Sequence, residues 1–278
     1  MKLCLFASDL HGRAERYEKL VRLLEDQQPA AAALGGDLLP AVHDGAGFLQ
    51  GYLRPLFRRL RRRLRRRYPL ILLILGNDDP RSQEPELEAG EREGLWRYMH
   101  SRRLQFAGCT FFGYACIPPS PFLLKDWERY DVSRHVDVGC VSPEEGWRSV
   151  PADRDIACTT IQLELEELAG NENLEDSLFL FHVPPYQTSL DLAQLDRRQV
   201  DYAPMDPHIG SIAVRRFIER RQPLATLHGH VHESSRLSGS WRDRLGRTFC
   251  YSAAWDGPEL AVVRFALEDP GQAERLLL

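Results

Sequence analysis

Three of the most apolar runs in the chain stop abruptly on polar residues: LCLFAS on Asp9 and His11, AAALGG on Asp37, and LILLILG on Asn77. Two later runs behave the same way, LFLF ending on His182 and LATL on His228, Gly229, His230 and His232. Apolar runs this short predict buried strands. Polar residues just past the carboxyl ends of such strands are where open α/β sheets assemble their sites. Between the first two runs, Arg13–Gln28 sets Tyr17, Leu20, Val21 and Leu24 on one helical stripe, and Pro29 ends it. Strand, helix, strand is the opening of a parallel sheet. A second helix is predicted over Phe48–Arg67, with Leu53, Phe57, Leu60 and Leu64 as its apolar face and Pro69 closing it.

Further along, QFAG and TFFGYA within Gln105–Ala115 predict a hairpin. The stretch from Ile117 to about Arg154 is rich in Pro, Trp, Asp and Arg and has no clean period. It is too aromatic for disorder and too irregular for core, so we expect an insertion folded over the site at about 117–154. Thr160 with Glu164 resembles a capping box opening the helix IQLELEELAG. RTFCYSAA and LAVVRFAL predict closing strands, and the whole of 1–278 is expected to form a single domain.

Composition narrows the picture. The 278 residues carry a formal net charge of −4, which gives no global electrostatic case for a nucleic-acid partner. The six cysteines contain no C-x-x-C pair, which fits a reducing compartment better than a disulfide framework or zinc knuckle. Asp9 cuts the first apolar run too short for a signal peptide, and no run reaches membrane-spanning length, so a cytoplasmic location is expected and no membrane partner. The second helix carries Arg58, Arg59, Arg61, Arg62, Arg63, Arg65, Arg66 and Arg67. A phosphate-tracking patch is one reading. Arginines at nearly every position the leucines leave free are what a solvated helix face requires, and nucleic acid is not the expected partner.

Singly, D-L-H, GGD, GND and a strand-end His are common. Their order is not: Asp9-x-His11, then GGD at Asp37, GND at Asn77, His182, and G-H-x-H at His230 and His232. Together these blocks resemble the calcineurin-like metallophosphoesterase superfamily over about Met1–Ala115 and Ser177–Leu267. The resemblance implies a four-layer α/β/β/α sandwich of two mixed sheets. It implies that Asp9, His11 and His232 hold one divalent metal, that Asp37 bridges, and that Asn77, His182 and His230 complete a second. Mixed O and N donors suit Mn, Fe, Zn or Ni, with Mn favoured.

The activity implied is hydrolysis of a small phosphoester, a phosphodiester above a monoester, by in-line attack of a hydroxide held between two cations about 3.5–4 Å apart. Two other readings are a scaffold of the same fold, as in the retromer subunit, and a nuclease. The chain departs from the family at one place. The common G-N-H-[DE] is GNDDP here, so Asp78 stands where a proton-donating His is usual. A carboxylate beside two cations stays ionised and donates poorly. His208 is the candidate replacement, just ahead of Ser211, which is expected to cap a helix whose N-terminus attracts phosphate. His228 is read as a strand-end or supporting residue.

Overall fold

The computed structural model describes residues 2–40, 45–195, 199–200 and 203–278. The chain opens with β1 (Leu3–Ala7), α1 (Ala14–Gln27), β2 (Ala31–Gly35), a short α2 (Gly45–Phe48), α3 (Arg54–Leu64), β3 (Leu70–Ile74), α4 (Glu84–Arg92) and β4 (Arg97–Tyr98). The middle contributes β5 (Arg102–Phe106), β6 (Cys109–Tyr114), α5 (Ile161–Ala169) and β7 (Ser177–Phe181). A two-stranded ribbon, β8 (Gln199–Val200) and β9 (Ala203–Pro204), precedes α6 (Ile212–Arg221). The chain closes with β10 (Ala225–His228), α7 (Ser234–Ser238), β11 (Arg242–Leu245), β12 (Thr248–Ser252), β13 (Ala261–Ala266) and β14 (Asp269–Leu277).

Two six-stranded sheets form, in the orders β14-β13-β1-β2-β3-β4 and β11-β12-β10-β7-β6-β5. Each has a parallel centre and antiparallel strands at its margins, β13 on β1 in the first, β5 on β6 and β11 on β12 in the second. The sheets face one another through β2 against β7 and β3 against β6. Helices α1 and α3 pack together on one side, α5 and α6 on the other, completing the α/β/β/α sandwich. The central strands are apolar on both faces because both faces are covered. All five predicted runs end at the same edge of the sandwich, so their terminal polar residues are delivered together.

The stripe Tyr17, Leu20, Val21 and Leu24 is buried as expected. The Gln105–Ala115 hairpin is β5 and β6, turning at Ala107 and Gly108, both at positive φ. The second helix differs from the single helix expected. Leu49–Leu53 is a π-turn, and the α-helix proper starts at Arg54. Pro55 has no N–H to donate back along the helix, and the wider turn absorbs that loss. The reciprocal capping box is also absent. Thr160 Oγ1 accepts from Leu163 N at 3.2 Å, but Glu164 sits one residue too late to reach back. Its carboxylate instead takes Tyr114 Oη at 2.6 Å and Arg129 Nε at 3.2 Å.

Residues 117–154 are also more deeply packed than expected. Ile117 and Trp127 belong to the main core, and Lys125 and Glu128 are fully buried with Nζ and Oε2 2.6 Å apart. An irregular backbone is buried here because side chains satisfy it: Asp126 accepts from the N–H groups of Arg81 and Ser149.

The arginine helix has an acidic neighbour in α4 and the residue beyond it. Arg54 pairs with Glu86 and Glu93, Arg58 with Glu93, and Arg63 with Glu25. Arg59, Arg62, Arg65 and Arg66 are exposed and form no ion pair among the described residues. Among the described residues no helix is long and apolar enough to cross a membrane. Replacing those four arginines by glutamine is expected to leave unfolding stability within about 0.5 kcal/mol of the parent in urea titration. Neither protein should retain an oligonucleotide in a moderate-salt filter assay; salt-sensitive binding lost in the variant would contradict a merely solvated face.

Candidate metal centre

Each candidate ligand follows a strand directly. Asp9 and His11 leave β1, Asp37 leaves β2, Asn77 leaves β3, His182 leaves β7, and His230 and His232 leave β10. The backbone turns sharply to aim them inward. Asp9, His11, Asp37 and His230 all adopt left-handed φ, between 47° and 73°. Such residues cost about 1–3 kcal/mol each and persist only where surroundings hold them. The holders are visible: Asp9 N donates to Gly36 O at 3.0 Å and His11 N to Asp37 O at 2.8 Å, lacing the two loops together. Gly76 and Gly229 are required for close approach. A side chain at Gly76 would collide with Asp37 and His182, and one at Gly229 with Ser8 and Asp9.

Asp9, His11, Asp37 and His232 offer ligand atoms all within 4.8 Å of one another. His11 Nε2 and His232 Nε2 lie 3.1 Å apart, and His232 Nε2 is 3.3 Å from Asp9 Oδ1. Beside this group, His182 Nε2 is 2.9 Å from Asn77 Oδ1 and 3.4 Å from Asp37 Oδ2. His182 Nδ1 donates to Gly35 O at 2.8 Å, which fixes the ring and leaves Nε2 as its donor atom. The ring of His230 lies 5.2 Å from that of His182. The structure therefore gathers all seven residues singled out as ligands.

The donor set fits divalent cations. Asp9 Oδ2 is buried without a hydrogen-bond partner, a costly state for a carboxylate oxygen unless a cation meets it. Burial works to raise the pKa of Asp9 and Asp37, but the adjoining histidines overcome it and hold both below the ordinary carboxylate value. Burial likewise works to lower His182 and His232. Asp37 and Asp9 reverse it, lifting His182 to about 10, and Asp9 lifts His232 to about 8. His230, with burial dominant, falls to about 3.

Asp78 stands at the rim, half exposed, its Oδ2 3.7 Å from His11 Nδ1. Burial and the nearby Asp37 raise its pKa in the metal-free chain, and bound cations would act in the opposite direction. His208 is outside the gathered group. Its Nδ1 meets Asp191 Oδ1 at 2.8 Å, and the fully buried Asp191 also accepts from Gln187, Thr188 and Gly210 N–H groups. Ser211 caps α6 through Val214 N at 3.0 Å, as expected. The α6 N-terminus is not open to phosphate, however. The Asp131 carboxylate already accepts from Ser211 Oγ and from the N–H groups of Ile212 and Ala213. His228 is fully buried between Val183 O and Thr226 Oγ1 and stacks on Phe181, a structural role.

Two residues at the site escaped the sequence reading. Asp79 is fully buried and accepts from Leu38, Leu39 and Gly76 N–H groups, tying the Asp37 loop to the Asn77 loop. Burial and then Asp37 raise its pKa, against those three N–H bonds. The doubled acid of GNDDP was its signal. Arg16 is buried on the stripe of α1, and a charge at a buried helical position was the signal there.

The sequence pattern of the calcineurin-like phosphoesterase family matches residues 3–234. The chain belongs to that family. It is a metal-dependent phosphoesterase. Its fold is similar to that of TT1561 of Thermus thermophilus, with a TM-score of 0.62 and 18% identity over 99% of this chain and 98% of that one. A dimetal phosphatase from Danio rerio superposes with a TM-score of 0.54 at 12% identity, over 95% of this chain and 91% of that one. At such identities the likeness is one of fold. No curated protein matches in sequence.

Because the neighbouring carboxylates hold the His182 and His232 rings charged above the ordinary value of 6.5, the metal-free phosphoesterase keeps protons on nitrogens that would have to be free for these candidate ligands to bind a cation. For each, the stability gained from the charged ring is complete below the unfolded value and lost as pH rises through about 10 and about 8 respectively. Metal uptake should therefore release protons, and Mn²⁺ affinity should weaken as pH falls below about 10 and more steeply below about 8. Calorimetry in buffers of different ionisation enthalpy checks this; heats independent of buffer would contradict it.

Proposed function

We propose that this phosphoesterase holds two divalent cations, Mn²⁺ favoured, and hydrolyses small phosphodiesters. The observation that carries the reading is the position of Asp37. One carboxylate belongs to the group with Asp9, His11 and His232 and also lies 3.4 Å from His182 Nε2, which in turn meets Asn77 Oδ1 at 2.9 Å. Asp37 is the bridging residue, Asp9, His11 and His232 serve one ion, and Asn77, His182 and His230 the other. When bound, a pair of such ions supplies Lewis acidity at the phosphoryl oxygens and acidifies a water between them.

The chain's own residues then set substrate and leaving group. Ionised Asp78 repels a second negative charge on the substrate, which favours a singly charged diester over a monoester dianion. The same carboxylate has no proton to give. His208 is the proton donor in this reading. Asp191 only accepts, so Nδ1 carries the hydrogen toward it and Nε2 is the nitrogen that holds and delivers the second proton. A place for residues 117–154 beside the site is supported by Trp127 Nε1, which donates at 2.7 Å to the carbonyl of Asp79, the residue after Asp78.

Two expectations test the reading. Asp37→Ala should lose both metals and His182→Ala one, by elemental analysis after Mn²⁺ loading and desalting; a full complement in Asp37→Ala removes the bridge. General acid help is worth about 10²–10⁴-fold. With His208 as the donor, His208→Ala should slow diesters with alkoxide leaving groups far more than nitrophenyl diesters, and Asp78→His should leave both classes unchanged; a speeding of the alkoxide class by Asp78→His instead means that no strong acid was in place. Rates in which neither substitution alters leaving-group dependence would refute this account of proton transfer.

A further inference from the structure

Arg16 is 5% exposed, yet forms no ion pair among the described residues. A buried guanidinium without a carboxylate partner is costly and calls for a reason. Its hydrogen bonds supply one. Nη1 donates to the backbone carbonyl of Asp9 and Nη2 to that of Gly257, both at 2.7 Å, while Nε has no partner. Asp9 is a candidate ligand held at φ 57°, a conformation an aspartate leaves readily unless its backbone is pinned on both sides. On the N–H side the pin is Gly36 O. On the carbonyl side it is Arg16, which reaches from the first turn of α1 and fastens the next peptide, on the other side of the same Cα, to the loop between β12 and β13.

We propose that Arg16 is the positioning residue for the metal held by Asp9, His11 and His232, acting through the Asp9 carbonyl. The inference rests on the dinuclear reading above. A fork is needed for it: two carbonyls approached from one rigid plane suit arginine, and a lysine ammonium on a flexible stem cannot reproduce the bridge. The positive charge itself opposes a nearby cation, so any gain in metal affinity must come from geometry. That separates the two properties of Arg16 by experiment.

Metal-free wild type, Arg16→Lys and Arg16→Met are titrated with Mn²⁺ by calorimetry, with thermal unfolding of each followed by circular dichroism. Loss of a partner that orients a ligand weakens metal binding by about 10–100-fold. The expected result is two ions on wild type, and on both variants one ion at wild-type affinity and one at least about tenfold weaker, with the fold retained. Wild-type affinity for both ions in Arg16→Lys overturns the positioning role. Equal weakening of both ions, or failure of both variants to fold, overturns it by placing Arg16 in the general scaffold. A wild-type chain taking up fewer than two ions overturns the dinuclear reading itself, and this inference falls with it.

Discussion

Everything about the upper edge of this sandwich follows from burying carboxylates that have no arginine or lysine to pair with. Asp9 and Asp37 are almost wholly removed from water, and the groups around them are histidines and backbone. In an apolar surrounding an unpaired carboxylate would take up a proton. Here His182 and His232 help keep the carboxylates ionised, and those two imidazoles are themselves held charged by the carboxylates. The metal-free site is thus a set of mutually supporting charges, ready to exchange protons for cations. Strained turns, glycines under the ligands and the shared Asp79 carboxylate are the means by which the fold keeps that set together.

The strand ends make this arrangement simple to assemble. Parallel strands of two facing sheets finish at one edge, so residues distant in sequence arrive as neighbours without long connecting loops. Left-handed turns at Asp9, His11, Asp37 and His230 then help to bring these side chains together. Family membership and this geometry agree on a phosphoesterase that uses metal, while the fold likeness to solved structures adds nothing on substrate.

Much of this was legible in the chain. The apolar runs marked the central strands, and the stripe on α1 was read residue by residue. The seven candidate ligands came from the order of their motifs and the family that order resembles. What escaped depended on long-range contacts. Nothing local distinguishes Asp131 from any surface acid, yet it fills the α6 N-terminus that a substrate phosphate was expected to use. Glu164 looked like a helix cap because Thr160 precedes it, and tertiary partners Tyr114 and Arg129 took it instead. The depth of residues 117–154 was hidden because burial there rests on side-chain hydrogen bonds to irregular backbone, which leave no period to read.

That segment is fastened at two distant points. Trp127 grips the carbonyl of Asp79 below the Asn77 loop, and Asp131 grips the start of α6 a few residues beyond His208. Between these anchors lies the fully buried Glu128, paired with Lys125 just ahead of them. A stretch tied down in this way is a strut between the two halves of the sandwich rather than a detachable lid. Grafting it onto another scaffold, or trimming it to make a minimal enzyme, would therefore remove support from both sheets at once.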